Sequence, residues 1–271
     1  MRRLALDHLT AVDAGPLELM DLAASAGCQA VSLFLHPLSV LPQMPVFDLV
    51  ADSAARAQCV ARRDALGLQI DLAYPFTLAG ATDPEGFVPA LAAAAALGAF
   101  GINVLVYDRD LDRRVGRLTR LAQLARDHGL VTAVEFFPAS QVRSLSDALT
   151  LVEAVDAPGL GVNVDLLHLV RCGEGVAALG KASAGRLVYG QLCDGPLDCP
   201  AEARDREAAF ERLAPGEGQL DVAGFLAAMP SVARLSVESP LGQALEAGVS
   251  RTDRVARAVA GARKALSYEV V

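Results

Sequence analysis

Glu135, Asp165, Gln191 and Glu238 each stand where a strand-like run of apolar residues gives out. A carboxylate at such a position either meets a cation or carries a large desolvation cost. Three carboxylates and one amide oxygen form a hard, oxygen-only donor set, which suits Mg²⁺ or Mn²⁺ better than Zn²⁺ or copper. Taken singly, each residue could instead cap the following helix or pair with an arginine. Together, on four consecutive strand ends, they predict one divalent metal ion. His168 lies three residues after Asp165, and an imidazole with a pKa of about 6.5 is a natural general base; its other reading is a hydrogen-bond donor behind the site. Arg212 precedes the Pro215-Gly216-Glu217-Gly218 loop and is the leading group for gripping a substrate oxygen or carboxylate, because a planar fork suits that task. Arg204 and Arg206 are weaker alternatives that surface ion pairing explains nearly as well. His8 and His36 close early strand-like runs and are placed at the mouth of the site, with a loop role equally open. His128 precedes Gly129 and is read as a structural cation at a helix end. Tyr74, Phe136 and Phe137 could wall the substrate, although core packing is the commoner use of such residues.

The elements that must position these groups repeat one pattern. Short β-rich runs at 4–7, 30–35, 69–74, 101–107, 132–137, 159–165, 187–193 and 234–239 read as strands. Amphipathic stretches at 16–26, 47–66, 84–97, 111–128, 144–155, 175–184, 221–229 and 251–266 read as helices, several of them stopped by glycine. Pro75 ends the third strand in this reading. Ser144 followed by Asp147 resembles a capping box. An irregular insert occupies 194–219. Strict βα alternation of this count predicts a single (β/α)8 TIM barrel over 1–271. A doubly wound open sheet would want a phosphate loop, and neither GxGxxG nor GxxxxGK[ST] occurs.

The composition agrees. A 53% hydrophobic, 21% charged chain without Trp suits helices packed on a parallel sheet and excludes general disorder. The net charge of −8 argues against a nucleic-acid surface. No apolar run reaches the roughly 20 residues of a membrane span, and no signal-like stretch follows the N-terminus. Five scattered cysteines without a CxxC pair match buried free thiols in a reducing compartment. The expected setting is cytoplasmic, without membrane or nucleic-acid partners.

The segments Val134-Glu135-Phe136-Phe137, Asp165-Leu166-Leu167-His168, Gln191-Leu192-Cys193-Asp194, Ala214 to Asp221 and Leu235-Ser236-Val237-Glu238 resemble, in order and spacing, the xylose-isomerase-like TIM barrels. These comprise sugar isomerases and epimerases with related inosose and 3-dehydroshikimate dehydratases. The resemblance covers nearly the whole chain and is most specific over 131–240. It implies a divalent metal on Glu135, Asp165, Gln191 and Glu238, with the D-x-x-H pair and the P-G-x-G-x-x-D segment as family features. Sugar epimerases usually place His where this chain has Gln191, and an amide there resembles some 3-dehydroshikimate dehydratases. Thr77 stands where an arginine for a substrate carboxylate would be expected in those dehydratases. The leading expectation is a metal-dependent isomerase or epimerase of a small polyhydroxylated carbonyl compound, with Glu135 and Glu238 as acid and base. The alternative is a dehydratase of a cyclic hydroxy-ketone, with His168 as base. A non-catalytic ligand-binding barrel is the third reading. An endonuclease of this fold is disfavoured by too few histidines and by the negative charge. By analogy with relatives, a homo-oligomer is possible.

Overall fold

The computed structural model describes residues 2–183 and 185–267. Among them eight parallel strands close into a barrel in sequence order: β1 (Leu4–Asp7), β2 (Ala30–Phe34), β3 (Gln69–Leu78), β4 (Ala99–Val106), β5 (Val131–Glu135), β6 (Leu160–Asp165), β7 (Leu187–Leu192) and β8 (Arg234–Val237). Pairing of β1 with β8 completes the ring. The surrounding helices are α1 (Pro16–Ser25), α2 (Ser53–Leu66), α3 (Val88–Ala96), α4 (Leu111–Asp127), α5 (Leu145–Val155), α6 (Leu166–Arg171), α7 (Arg204–Ala209), α8 (Val222–Ala228), α9 (Gly242–Glu246) and α10 (Arg251–Ser267). This is the (β/α)8 barrel that the alternation predicts. None of the described helices is long and apolar enough to cross a membrane.

Local chemistry explains where the elements depart from expectation. The helix expected over 47–66 starts only at Ser53, because the Asp52 side chain accepts from Ala55 N at 2.9 Å and caps it there. Strand β3 continues through Pro75 to Leu78; proline has no N–H to give, and the β3–β4 register shifts between Ala73 and Phe76 to accommodate it. The helix expected over 175–184 is a 3₁₀ turn at Val176–Lys181, with residue 184 outside the described residues. Helix α6 follows β6 without a break; a continuous apolar run hides such a boundary from any periodicity argument. At α5 half of the expected capping box forms: Ser144 Oγ accepts from Asp147 N, while Asp147 Oδ2 accepts from Arg143 N, one residue before the cap, each at 3.0 Å.

The main apolar core fills the space between barrel and helices, while a smaller apolar cluster with Leu72, Tyr74, Ala133 and Tyr189 shares the strands with buried polar groups. Ser32 Oγ and the Tyr189 hydroxyl meet across the barrel at 2.8 Å. At the N-terminal mouth Asp71 is buried under Arg3 and Arg234, and the Arg234 guanidinium lies 3.9 Å from the centre of the Phe100 ring. That end is plugged. The acids gather at the other end, where barrels of this class carry their function.

Gly190, next to Gln191, shows how tightly the helix ring seats on the strands. A Cβ there would lie 2.9 Å from Leu235 Cδ2 and 3.0 Å from Met229 Cε. Gly190→Val should therefore overpack the interface and cost about 1–3 kcal/mol, read as a melting temperature several degrees lower by calorimetry. An unchanged melting temperature would contradict this packing.

Candidate metal and acid–base centre

Glu135 closes β5, Asp165 closes β6, and Glu238 immediately follows β8. All three are at least nine-tenths buried. Glu135, Asp165 and His168 bring ligand atoms within 4.8 Å of one another, and His168 Nε2 lies 3.6 Å from Glu135 Oε1. Asp165 Oδ1 caps α6 by accepting from His168 N at 3.0 Å, so one residue both ends the strand and fixes the histidine one turn further on.

Glu238 joins the cluster through Arg212. The Nη1 of Arg212 donates to Asp165 Oδ2 at 2.5 Å and to Glu238 Oε2 at 2.8 Å. Its Nε and Nη2 both donate to Ala208 O, at 3.0 and 2.9 Å. The guanidinium is therefore committed to the acids and to α7, and it is 3% exposed. The sequence places this guanidinium on substrate; in the structure its hydrogen bonds run to Asp165, Glu238 and Ala208. Residue 207, next in the chain, clamps the same insert from the other side: Arg171 and Glu207 form a buried bidentate pair at 2.7 and 2.6 Å. Arg171 lies one turn beyond His168 on α6, so the insert braces the histidine's helix as well as the Arg212 fork.

Several expected site residues serve the scaffold. His8 is fully buried, with Nε2 3.0 Å from Ala14 O and Nδ1 accepting from Phe34 N at 3.1 Å. Both ring nitrogens of this expected substrate group face backbone. Tyr74 donates to Asp7 Oδ2 at 2.5 Å and packs beside Phe34 inside the barrel. Phe136 is buried in the core, whereas half-buried Phe137 lies against His168 and Tyr107, at centroid distances of 5.3 and 5.8 Å. Arg206 belongs to a surface pair of acids, Glu211 and Glu246, and Arg204 donates to Cys199 O. His36 contacts Pro37 O, and His128 contacts Leu124 O near the end of α4.

Sequence reasoning missed three kinds of residue. Asp7 closes β1 and is fully buried beside Tyr74 and Glu238; an acid at the end of an apolar strand is the same signal as at Glu135, Asp165 and Glu238. Asn103 and Asn163 are buried amides inside otherwise apolar strands, and their polarity was the only clue. The carboxylate of Asp194 accepts from Gly195, Gly216 and Leu220 N–H groups at 2.8–2.9 Å and so holds the Pro-Gly-Glu-Gly loop.

Four buried carboxyl groups, Asp7, Glu135, Asp165 and Glu238, thus face one buried guanidinium. Burial pushes Glu135 up to about 8, assisted by the Asp165 charge. Burial raises Asp7 to about 6 and lifts Glu238 well above the usual carboxylate range. Burial opposes the Asp165 charge as well, yet Arg212 and His168 hold its carboxyl below the usual range. Burial lowers His168 to about 4, so it is neutral at pH 7. A donor set of this kind fits a divalent cation: Arg212 already stands in for one between Asp165 and Glu238, and negative charge remains in excess. Gln191 is fully buried, and its Oε1 accepts from Asn163 Nδ2 at 2.6 Å. An amide oxygen has two lone pairs, so one is left for an ion.

A sequence model of the xylose isomerase-like TIM barrel family matches residues 20–257. The inosose isomerase of Halalkalibacterium halodurans is 28% identical over 110 residues, 40% of this chain and 38% of that protein's length. The structure of the IOLI protein with a bound zinc atom superposes with a TM-score of 0.80 at 18% identity over 98% of each chain. A probable 3-DHS dehydratase from Bacillus anthracis superposes with a TM-score of 0.75 at 14% identity, over 95% of this chain and 97% of that one. At these identities the two structures establish the fold alone.

The charge surplus predicts a pH dependence. Glu135 has a raised folded-state pKa, so the stability it contributes is lost as pH rises toward about 8. His8 and His168 have lowered values of about 4, so theirs is lost as pH falls below about 6.5. Above that only the carboxyl effect remains. The melting temperature of metal-free protein should fall between pH 6.5 and 8.5, and saturating divalent ion should flatten the fall. A rising or level profile without metal would contradict these assignments.

Proposed function

The chain belongs to the xylose isomerase-like TIM barrel family, and from that premise we propose that it is a divalent-metal-dependent isomerase or epimerase of a small polyhydroxylated carbonyl compound. The observation that carries this reading is the pairing of two buried, proton-holding carboxyls, Glu135 and Glu238, around an ionised Asp165. Glu135, Asp165, Gln191 and Glu238 would hold the ion, with Mg²⁺ or Mn²⁺ the best match to oxygen donors. The ion would supply positive charge for the oxygen that becomes negative when the neighbouring carbon loses its proton.

The chain's own groups account for the rest. Glu135 and Glu238 stand on strands three apart in the ring, so a substrate carbon between them has a carboxyl group on each side. One takes the proton as carboxylate, and the other, protonated, delivers one to the opposite face. Arg212 holds Asp165 ionised while this happens. Phe137 and Tyr107 form an aromatic ledge beside His168 that can carry the apolar face of a ring. The partial match to an inosose isomerase favours a cyclic polyol ketone.

A dehydratase reading is favoured by two features: Gln191 where epimerases usually have His, and neutral His168 within 3.6 Å of Glu135. There His168 would take the proton next to the carbonyl and a β-hydroxyl would leave as water.

Proton NMR in D₂O with Mn²⁺-activated protein, followed by metal removal before recording, tests both against ketohexoses, inososes and 3-dehydroshikimate. Deuterium beside the carbonyl with every hydroxyl retained is the expected result. Olefinic or aromatic signals would assign the dehydratase reaction. Glu238→Gln should slow the exchange by about 10²–10⁴-fold, the usual contribution of a positioned acid or base. Undiminished exchange in that variant would refute the assignment.

A further inference from the structure

Asn103 and Asn163 are 4% and 0% exposed, on β4 and β6, either side of Glu135 on β5. Asn163 Nδ2 donates to Gln191 Oε1 at 2.6 Å and to Asn103 Oδ1 at 3.0 Å. Asn103 Nδ2 in turn donates to Glu135 Oε2. One unbroken run of side-chain hydrogen bonds thus crosses four neighbouring strands, from Gln191 through two amides to Glu135.

A bound cation would fix the direction of that run. Glu135 would then be a carboxylate that only accepts, so Asn103 turns its NH₂ group to Glu135 and its oxygen to Asn163. Asn163 must then offer N–H to that oxygen, and its second N–H meets the oxygen of Gln191. Reversing any one amide would set two oxygens, or two NH₂ groups, against each other. The two ends are each left with one acceptor position uncommitted. For Glu135 it is Oε1, the oxygen nearest His168; for Gln191 it is the second lone pair of Oε1. Among the described residues the Nε2 of Gln191 and the Oδ1 of Asn163 have no hydrogen-bond partner, so no described group competes there to set these orientations.

We propose that Asn163 and Asn103 are positioning residues of the cation site, an amide strut that aims Glu135 Oε1 and Gln191 Oε1 together. The inference rests on the metal reading above. It assigns two of the four ligands to one shared support, with Asn163 the only member that reaches both arms. Severing the strut at Asn163 frees both ligands to rotate; severing it at Asn103 frees Glu135 alone.

The test is Mn²⁺ titration of wild type, Asn163→Leu and Asn103→Leu, reading free and bound Mn²⁺ by EPR, with the metal-free melting curve as the check on folding. Asn163→Leu should weaken Mn²⁺ binding by about 10–100-fold, the usual cost of removing a support behind a metal ligand, and should alter the bound-Mn²⁺ line shape. Asn103→Leu should weaken it less, and it keeps the test open should Asn163→Leu fail to fold. In a Gln191→Ala background Asn163→Leu should lose the part of its effect that runs through Gln191 and fall to about the effect of Asn103→Leu, because residues acting through one another are not additive; a merely space-filling asparagine would show its full effect there. Dissociation constants within about twofold of wild type and an unchanged line shape in both variants would overturn the strut. A wild-type protein that binds no Mn²⁺ would overturn the metal reading itself, and this inference with it.

Discussion

One guanidinium among four buried carboxyl groups is the constraint on which the C-terminal end of the barrel depends. Arg212 can satisfy Asp165 and Glu238, and it does so with one nitrogen while the remaining donors are fixed to Ala208. Burial still favours the neutral forms of Glu238, Glu135 and Asp7. A site of this kind holds protons that a cation can displace, and ionisable groups of shifted pKa close to one another are what acid–base chemistry at neutral pH requires.

The insert after β7 serves this arrangement. Asp194 ties its returning loop to Gly216 and Leu220, α7 presents Glu207 to Arg171 and Ala208 to Arg212, and α6 carries His168 between Asp165 and Arg171. A buried ion pair is weak support for stability in itself, but breaking one leaves an uncompensated charge. Here the pair sets where a helix of six residues stands relative to the acids.

Much of this was legible in the chain. Strand positions could be read because an acid interrupts each apolar run at Glu135, Asp165 and Glu238, and helix ends because glycines and capping side chains mark them. The barrel followed from counting. The rest was hidden for physical reasons. Sequence does not show which acids the Arg212 guanidinium meets. A strand end says nothing of the backbone partners that His8 finds in the next loop. A single amide in an apolar strand, such as Asn103 or Asn163, has no meaning until the registers of β4 to β7 bring it beside another. Helix α6 was hidden inside a run whose apolar residues suit a strand and a buried helix equally.

The most direct test of the account is calorimetric titration of metal-free protein with Mn²⁺ at pH 7 in two buffers of different ionisation enthalpy. With Glu135 raised to about 8 and Glu238 also lifted well above the usual carboxylate range, binding should release about one to two protons into the buffer, and the apparent enthalpy should differ between buffers accordingly. Absence of binding, or binding with the same enthalpy in both buffers, would contradict a buried acid cluster that exchanges protons for a divalent ion.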